Sequence, residues 1–551
     1  MTHTVPMIPA GPATSTSAEF NQVADLTGVN AFTGDAIASG VLDTHAPWAR
    51  PVAEDLGAKV WGAEILGAAR DAHRHLPELR THDRLGTRLD VVDFHPSYHT
   101  LMSTAFRAGV AGLSWDTSEP GAHLARAVQS YLWNQVDGAT ACPTGMTYAA
   151  VPILRDTPEL AEFAVRAAVL DYDGAYAPVG EKRAATIGYA MTEKQGGSDL
   201  RANRTIAQPV GGRGPGRPYL LEGHKWFCSA PMSDGFFTVA QTQAGVSCFF
   251  VPRWRPDGTP NGFHLQRLKD KCGNRANASA EIEYHDAHAI LVGDEGRGIR
   301  TILTSSDYTR LDFAVGSAGL IRAALSQALN HTDQRVAFGS RLTDLPTMTG
   351  VLADLALEWA AAAHLGFRVA RTADSDDESE RLLARLLTPV GKYWNCKRAP
   401  VVVEEAMECI GGNGYIEEHP MARYYREAPL NSIWEGTANM MVLDVRRVLS
   451  REPKALEPLL DEVRLAGGQN RHLDRALVDL EQLAAHPDPS GRRLTTMIAL
   501  TVAGAQLVRH APAALADAFC ASRLGGDWAP TFGTLPAGAD VAAIVDYARL
   551  H

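Results

Sequence analysis

Residues 408–439 read ECIGGNGYIEEHPMARYYREAPLNSIWEGTAN, a stretch that places two unlike features side by side. The first is a glycine turn, formed by Gly411, Gly412 and Gly414, which follows a helix-like run. Glycines there let backbone N–H groups approach a ligand, because no Cβ stands in the way. The same pattern also marks ordinary helix ends, so a second signal is needed before the turn indicates a cofactor.

The second feature is Glu435, the single charged residue of the segment SIWEGTAN at residues 432–439. It stands between Trp434 and Gly436. A carboxylate held against an indole is partly desolvated and becomes a better proton acceptor near neutral pH. A Glu that follows a Trp is also a common surface arrangement. With the glycine turn beside it, the pattern predicts a general base at Glu435.

A second motif lies at residues 190–202, AMTEKQGGSDLRA, where the first strand-like run ends. Thr192 and Ser198 offer hydroxyls, and Gly196 and Gly197 leave the backbone accessible. Such a loop can hydrogen-bond the polar edge of a flavin ring or a pyrophosphate. A plain Ser/Gly turn that closes a hairpin would show the same residue types.

Together the two motifs resemble the two signatures of the acyl-CoA dehydrogenase family. The C-terminal signature is carried by Glu408, Gly411, Gly412, Gly414, Tyr415, Glu418, Arg423 and Glu427. Within the family, the segments MTEKQGGSD, GHKWFCSAPMSD, RLKDKCGNRANAS and NSIWEGTAN are most similar to the AidB flavoproteins of the bacterial response to DNA alkylation. The likeness runs from about residue 90 to 450 and continues more faintly to the C-terminus.

Length and composition exclude several classes of protein. The chain has 551 residues, of which 45% are hydrophobic and 21% are charged, as is typical of a soluble globular protein with several domains. Its net charge of −11 argues against a protein that coats nucleic acid with its whole surface. Any nucleic-acid site is therefore expected to be local.

The seven cysteines are odd in number and show no CxxC spacing. The sequence thus predicts neither disulfides nor a metal site, and a reducing cytoplasm is expected. No signal-peptide pattern opens the chain. The longest apolar run, residues 494–508, is interrupted by polar residues and predicts a buried helix, so no membrane association is expected.

The patterns along the chain are helical, then strand-like, then helical, which predicts the α+β class. Three long helical runs with short polar breaks, after residue 297, predict an antiparallel bundle. Residues 1–18 are rich in Pro, Thr and Ala and are expected to be disordered. The resemblance implies an N-terminal helical domain, a middle antiparallel β domain, a helical bundle that carries the base, and an extra helical C-terminal domain. The corresponding ranges are 19–186, 187–296, 297–450 and 451–551.

By resemblance the cofactor is FAD, bound between the β domain and the bundle. The residues that the resemblance assigns to FAD are Tyr189, Met191, Thr192, Gly197, Ser198, Phe227, Cys228, Ser229, Arg335, Phe338, Gly411, Gly412, Ile433, Trp434, Gly436, Thr437 and Asn439. Phe227, Cys228 and Ser229 match the family strand that covers one face of the flavin and bonds its N5. Many members carry Trp where Phe227 stands, so stacking is retained and an indole N–H is lost. Simple β-core packing is the alternative interpretation.

Arg335, Phe338 and Gly339 match the family's RxxFG segment, in which an arginine of a neighbouring subunit reaches the FAD pyrophosphate. A planar guanidinium suits bidentate phosphate binding. The resemblance therefore implies a homotetramer built as a dimer of dimers. Taken alone, the same residues would be typical of a helix end with a solvated arginine.

In the family's reaction a glutamate removes the α-proton of an acyl thioester, while a hydride leaves the β-carbon for flavin N5. Some members place that glutamate on another helix, where this chain has Thr309 followed by Arg310. Glu435 is therefore the available base. Trp434 beside it would narrow the channel for a fatty acyl chain, and dehydrogenase activity in the AidB group is weak.

The AidB group binds double-stranded DNA through its C-terminal domain. From residue 445 to 551 this chain has 12 Lys plus Arg and 12 Asp plus Glu. A DNA-binding domain is typically positive, and interspersed acids favour a solvated helical surface with ion pairs. The resemblance thus favours double-stranded DNA as a partner of residues 445–551, and the charge count does not.

Three functions are compatible with these patterns. The first is an FAD-dependent AidB-type flavoprotein of the adaptive response to DNA alkylation, with weak acyl-CoA dehydrogenase-like chemistry. The second is an acyl-CoA dehydrogenase that acts on a short or branched acyl-CoA in catabolism or secondary metabolism and does not bind DNA. The third is a flavin-stabilised binding protein without turnover.

Overall fold

The computed structural model describes residues 21–486 and 489–550. The disorder predicted for residues 1–18 lies outside these ranges. Helices come first, a β-sheet follows, and helices return after residue 298, which confirms the predicted α+β order. In the described part of the chain, no helix combines the length and the apolar character needed to cross a membrane.

The N-terminal section is mostly helical, as predicted. Its helices are α1 (Ala36–His45), α2 (Arg50–Val60), α3 (Ala63–Arg74), α4 (Pro96–Arg107), α5 (Ala122–Trp133), α6 (Gly138–Arg155) and α7 (Ala161–Ala167). It also contains an antiparallel hairpin of β1 (Glu78–His82) and β2 (Arg88–Asp93), which the sequence did not predict. Side chains of β1 are largely exposed, so its sequence carries no apolar periodicity that would identify it.

The middle section is a seven-stranded sheet. Its strands are β3 (Ile187–Ala190), β4 (Ile206–Pro209), β5 (Pro218–Ser229), β6 (Gly235–Thr242), β7 (Gly245–Pro252), β8 (Phe263–Leu268) and β9 (Ser279–Val292). Successive pairing of β6, β7, β9, β5 and β4, with β4 returning to β6, closes the sheet on itself.

The expectation of a purely antiparallel β domain was wrong in one respect. β3 and β6 run parallel, with Ile187 opposite Gly235, and β4 meets β6 in the same sense. Parallel neighbours need a long crossover, which the intervening loop and strands supply. This arrangement buries all four residues of β3 and delivers the MTEKQGGSD loop to one edge of the sheet.

Three long helices follow, as predicted: α8 (Gly298–Gln334), α9 (Pro346–Thr372) and α10 (Glu378–Ile410). A small hairpin of β10 (Val336–Ala337) and β11 (Ser340–Arg341) separates α8 from α9. α10 ends where Gly411 adopts φ of +71°, a left-handed conformation that glycine adopts without a Cβ penalty. Two shorter helices complete the bundle, α11 (Pro420–Glu427) and α12 (Ala438–Arg451).

The last section contains α13 (Leu456–Arg464), α14 (Arg471–Ala485), α15 (Arg492–His510), α16 (Ala513–Phe519) and α17 (Val541–Ala548). It is helical, as predicted, but it has no core of its own. Leu459, Val502 and Ile544 belong to the same hydrophobic cluster as Leu355 of α9. Because the bundle and the last section share one core, removal of residues 451–551 would expose the interior of the bundle.

Candidate active site

Glu435 lies in a short connection between α11 and α12. A 3₁₀ turn covers Leu430–Ser432, and α12 begins at Ala438. Between them Glu435 has φ of +52°, a left-handed backbone conformation that is unfavourable for a residue with a Cβ. The chain therefore bends sharply at the predicted base, and the surrounding elements must stabilise the bend.

A buried lysine of α10 contacts this bend on both sides. Nζ of Lys392 donates a hydrogen bond to the carbonyl oxygen of Trp434 at 2.7 Å and another to the carbonyl oxygen of Gly436. These two carbonyl groups flank Glu435. Lys392 is only 1% exposed, so the contact lies inside the protein.

The carboxylate of Glu435 faces α8. Oγ1 of Thr309 donates to its Oε2 over 3.3 Å. Burial raises the pKa of the nearby Cys142 thiol to about 12, and the negative charge of Glu435 contributes to this increase. Burial likewise raises the pKa of the Tyr189 phenol, with a further contribution from Glu435. Both neighbours are therefore neutral at physiological pH, which leaves Glu435 as the proton acceptor of this group.

Trp434 forms the wall beside the predicted base. Its indole stacks on Phe313 with ring centroids 4.9 Å apart, and its Nε1 donates to Oδ1 of Asn431 at 3.1 Å. Asn431 in turn donates to Oγ of Ser317 on α8. Beside the indole lies a cavity of about 10 Å³, lined by Trp434 and Phe313 among others. That volume accommodates a single water molecule at most, so the indole is closely packed on that side.

The MTEKQGGSD loop is anchored by Glu193, whose side chain is completely buried. Its carboxylate accepts hydrogen bonds from the backbone N–H of Arg204 at 2.6 Å, from the Thr205 hydroxyl at 2.6 Å and from Nζ of Lys225 at 2.8 Å. Charge-assisted hydrogen bonds of this kind are among the stronger ones in proteins. The anchor fixes the loop and leaves Ser198, at its tip, exposed.

Three predicted contacts of this loop lie close to the base. Trp226 of β5 donates its backbone N–H to the carbonyl oxygen of Thr192 at 2.7 Å. This hydrogen bond joins the loop to β5, the strand that carries Phe227, Cys228 and Ser229. Tyr189, Met191 and Trp434 all pack against one hydrophobic cluster. A Cβ at Gly197 would lie 3.1 Å from the Thr192 side chain, so the loop is tightest at that glycine.

At the end of strand β5, successive side chains lie on opposite faces of the sheet. Phe227 is 49% exposed, whereas Cys228 is fully buried within the sheet. The Cys228 side chain therefore packs in the core, and only its backbone can face a ligand. Oγ of Ser229 lies 3.2 Å from Oγ of Ser279, to which Nζ of Lys271 donates at 2.9 Å.

These residues fit a flavin with its phosphate tail. Phe227 and Ile433 present large apolar surfaces, and Ile433 is 59% exposed. Thr437 makes no side-chain capping bond at the start of α12, so the first N–H groups of that helix can bind an acceptor or a phosphate. Asn439 in the first turn of α12 is engaged otherwise, because its Oδ1 accepts from Arg492 at 2.6 Å.

The remaining predicted FAD residues form a second group. Arg335 donates to the backbone carbonyl of Asn21, and the amide of Asn21 bonds the backbone of Val336. Gln22 contacts Asn413, which follows Gly411 and Gly412 in the glycine turn. The N-terminal segment thus joins the β10–β11 hairpin to that turn.

Within the described residues, no hydrogen bond, ion pair or ring contact joins this second group to Glu435, Thr192 or Phe227. Phe338 of the group is 95% exposed and has φ of +54°. Gly411 has open space where a Cβ would stand. The described contacts thus tie Arg335 and the glycine turn to the N-terminal segment and not to Glu435.

A concavity of about 1140 Å³ runs along α8 between the sheet and the bundle. Five arginines line it, namely Arg201, Arg297, Arg300, Arg385 and Arg451. Of these, only Arg385 lies within 4 Å of an acid among the described residues, at 3.6 Å from Asp307. A cleft with this excess of cations favours an anionic ligand.

Sequence reasoning did not single out Lys392 or the anchoring role of Glu193. A lysine inside an otherwise apolar helical run, TPVGKYW at residues 388–394, was the available signal for Lys392. No comparable signal existed for a metal. Over residues 21–486 and 489–550, no group of three or more His, Cys, Asp or Glu side chains is placed to hold a metal ion.

Three family models match the chain. The model of the adaptive response protein AidB N-terminal domain matches residues 21–174. The middle and C-terminal domain models of the acyl-CoA dehydrogenases match residues 188–287 and 296–450.

Among individual proteins, AidB of Escherichia coli strain K12, which is named as an acyl-CoA dehydrogenase, is 42% identical over 515 residues, covering 91% of this chain and 93% of its own length. Acyl-CoA dehydrogenase family member 11 of Caenorhabditis elegans is 29% identical over 489 residues, covering 82% of this chain and 78% of its own. The solved structure of Caenorhabditis elegans ACDH-11 in complex with C11-CoA superimposes with a TM-score of 0.81 at 26% identity, covering 97% of this chain and 93% of that one.

Proposed function

Because the chain belongs to the acyl-CoA dehydrogenase family, in its AidB group, we propose that it oxidises a short or branched acyl-CoA with Glu435 as the base. Members of this family are FAD-dependent oxidoreductases that act on CH–CH groups. The observation that carries the proposal is the position of Glu435, whose carboxylate lies beside neutral groups at the meeting point of α8 and the turn before α12.

The chemistry assigned to the chain is proton transfer. Glu435 Oε1 or Oε2 takes the α-proton of the thioester, so that the α-C–H bond breaks and its electron pair moves toward the forming Cα=Cβ bond. Thr309 orients the carboxylate through its hydroxyl, and Lys392 fixes the backbone on either side of it. Bound FAD supplies the hydride acceptor for the β-carbon, which no side chain of the protein can supply.

The FAD site assigned to one copy of the chain consists of the loop that Glu193 anchors, the end of β5 and the start of α12. Thr192, Ser198 and Ser229 offer hydroxyls there, and Phe227 offers an aromatic face. We assign the second set, around Arg335 and Gly411, to the FAD of a neighbouring copy. Exposed Phe338 and Tyr415, at 95% and 77%, supply apolar area for such an interface.

The arginine-lined cleft is the proposed site of the coenzyme A moiety. Coenzyme A carries several phosphate charges, and Arg201, Arg297, Arg300 and Arg451 have no acidic partner within 4 Å among the described residues. The Caenorhabditis elegans neighbour was solved in complex with C11-CoA, which supports a CoA thioester as the substrate class. The bulky Trp434 indole next to Glu435, held against Phe313, favours a short acyl group over a long one.

Anaerobic mixing of the purified yellow protein with isobutyryl-CoA, isovaleryl-CoA and palmitoyl-CoA tests this function. We expect the absorbance of oxidised flavin near 450 nm to fall with a short or branched substrate and to change little with palmitoyl-CoA. A flavin that binds but is not reduced by any of the three would favour a binding protein without turnover. Protein that takes up no FAD and gains no thermal stability from it would overturn the assignment.

We further propose that the protein serves the response to DNA alkylation and binds double-stranded DNA. The match of residues 21–174 to the adaptive response protein AidB supports this role. Most basic residues after position 445 are paired with acids; Arg464, for example, contacts Glu457, Asp461 and Glu481. We therefore assign the DNA contact to the few cations that form no ion pair with an acid among residues 21–486 and 489–550.

Three such cations lie together. Arg446 packs against Gly491, directly before Arg492 and Arg493, and its guanidinium donates to the carbonyl oxygen of Pro489 rather than to a carboxylate. Arg492 contacts the amide oxygen of Asn439. This patch, Arg446 with Arg492 and Arg493, is the proposed phosphate contact.

Fluorescence anisotropy with a labelled duplex tests the patch. We expect affinity to fall steeply between about 50 and 200 mM salt, and replacement of all three arginines by serine to weaken binding and flatten that dependence by about one unit of slope per arginine. Arg464→Ser is the matched control, since its three acidic partners already neutralise Arg464. A duplex that does not bind at low salt would rule out the DNA role.

A further inference from the structure

Lys392 is a buried cation whose ammonium contacts backbone carbonyl groups and no carboxylate among the described residues. Its ammonium donates to two backbone carbonyl oxygens, those of Trp434 and Gly436. Within the described residues it forms no ion pair within 4 Å of an Asp or Glu side chain. A buried ammonium without a paired acid is costly, so its retention inside the bundle calls for a physical explanation.

The two carbonyl acceptors show which part of the backbone Lys392 stabilises. They are the carbonyl groups immediately before and after Glu435, and Glu435 adopts φ of +52°. A side chain that is hydrogen-bonded to both carbonyl groups prevents the connection between α11 and α12 from relaxing to an ordinary backbone conformation. Charge-assisted hydrogen bonds are stronger than neutral ones, so a lysine is better suited to this task than an uncharged donor.

Few charged groups surround Lys392 and Glu435. Burial lowers the pKa of Lys392, the sulfur of Cys396 and the carboxylate of Glu435 raise it, and the guanidinium of Arg310 on α8 lowers it again. Arg310 itself is neutralised by Asp444 of α12 at 2.7 Å.

On the other side, Glu435 faces the Thr309 hydroxyl of α8, the Tyr189 phenol of β3 and the Cys142 thiol of α6. None of these three is charged near neutral pH. Glu435 is thus the acidic side chain that acts on the charge of Lys392.

We propose that Lys392 is the positioning residue of the base: through two carbonyl hydrogen bonds it fixes the backbone on either side of Glu435. This inference rests on the proposed function, because it takes Glu435 to be the proton acceptor. It adds a residue that contacts neither the thioester nor the reacting carbon and that acts through Glu435 alone.

Two substitutions separate the hydrogen bonds from the charge. Lys392→Gln keeps an N–H donor of similar length but loses the charge, whereas Lys392→Met loses both. Lys397→Gln is the matched control, since Lys397 lies on the same helix and is exposed. Circular dichroism and thermal melting establish that each variant is folded.

The rate of flavin reduction by isobutyryl-CoA, measured as a function of substrate concentration, is the first readout. We expect the limiting rate to fall about tenfold or more in Lys392→Met and clearly less in Lys392→Gln, because only the second variant keeps a donor for the carbonyl groups beside Glu435. The half-saturating concentration should change little, since Lys392 does not contact the substrate. A limiting rate that is unchanged in Lys392→Met, or that falls equally in both variants, would overturn the proposal.

A second readout does not require turnover. Carbon-13 NMR of protein labelled at the glutamate carboxyl reports the surroundings of the Glu435 carboxyl group, with its signal assigned by its loss in Glu435→Gln. We expect that signal, measured at one fixed pH, to move in Lys392→Met and to stay in place in Lys397→Gln. If wild type is not reduced by any acyl-CoA, the proposed function fails while this signal still decides the role of Lys392. An unchanged signal in Lys392→Met overturns the inference.

Discussion

The hydroxyl of Thr309 on α8 lies 3.3 Å from a carboxylate oxygen of Glu435, although 126 residues separate the two in the chain. The family resemblance implies that some members carry their catalytic glutamate on the helix that holds Thr309 and Arg310 here. In this fold the two alternative positions of the catalytic glutamate, on α8 and in the turn before α12, therefore lie next to each other. In this chain the carboxylate comes from the turn before α12.

Replacement of Glu435 by glutamine tests the base directly. We expect Glu435→Gln to abolish flavin bleaching by isobutyryl-CoA, because an amide cannot accept the α-proton. The protein should remain yellow and folded, since the change conserves shape. Stopped-flow absorbance near 450 nm measures the effect, and normal reduction in this variant would remove Glu435 from its role.

The meeting of positions 309 and 435 leads to a rescue experiment. We expect Thr309→Glu to restore part of the bleaching that Glu435→Gln abolishes, because a glutamate at 309 starts from the helix that faces the same point. Thr309→Val in the otherwise unchanged chain should slow reduction about fivefold, the effect of losing one hydrogen bond of about 1 kcal/mol. A double variant that stays inactive while it binds FAD would contradict the shared location.

The division of the FAD residues between two sets leads to a complementation experiment. We expect Arg335→Ala and Thr192→Val each to weaken FAD binding, because one loses a phosphate donor and the other a hydroxyl. If Arg335 serves a neighbouring copy, subunits of the two variants mixed through mild unfolding and refolding should regain sites that are intact. Retained flavin per subunit measures this, and mixtures no better than the separate variants would place both residues at one site of one chain.

The anchor of the MTEKQGGSD loop leads to a pH dependence. Burial would raise the pKa of Glu193, but Lys225 and several hydrogen bonds outweigh it and lower this pKa to about 2. A depressed carboxyl pKa adds stability that is fully present above the ordinary value near 4.5 and is lost as pH falls toward 2.

We expect Glu193→Gln to lower the free energy of unfolding by roughly 3 to 5 kcal/mol at neutral pH, because it leaves Lys225 buried and unpaired. The variant should also lose part of the acid sensitivity of wild type between about pH 4.5 and 2. Urea unfolding at several pH values, with and without FAD, measures both effects. Equal stability of the two proteins across that range would show that the anchor contributes nothing.

The arginine-lined cleft leads to a test of substrate anchoring. We expect Arg297→Ala combined with Arg300→Ala to weaken acyl-CoA binding about tenfold at low salt and less at high salt, because exposed charges are screened. Reduction by the corresponding N-acetylcysteamine thioester, which lacks the phosphates, should be unaffected. Arg84→Ala on the exposed β1–β2 turn is the control. A loss shared by both thioesters would place the coenzyme elsewhere.

Much of the fold followed from local patterns. The order of helices and strands, the three long helices after residue 298 and the end of α10 at Gly411 were all predicted. Hydrophobic periodicity and turn residues act over a few positions, so they are present in the sequence itself. The exposed β1–β2 hairpin and the parallel pairing of β3 with β6 were not predicted, because the first lacks periodicity and the second depends on which distant strands meet.

For the site, the sequence by itself determined which side chains can do chemistry: a lone Glu435 in an uncharged segment, hydroxyls at Thr192 and Ser198, and an arginine at 335. Only the tertiary structure decided that Lys392 and Thr309 converge on Glu435 and that Arg335 does not. The reason is physical. A residue's chemistry belongs to its own side chain, whereas its hydrogen-bond partners are set by the packing of helices and strands that lie far apart along the chain.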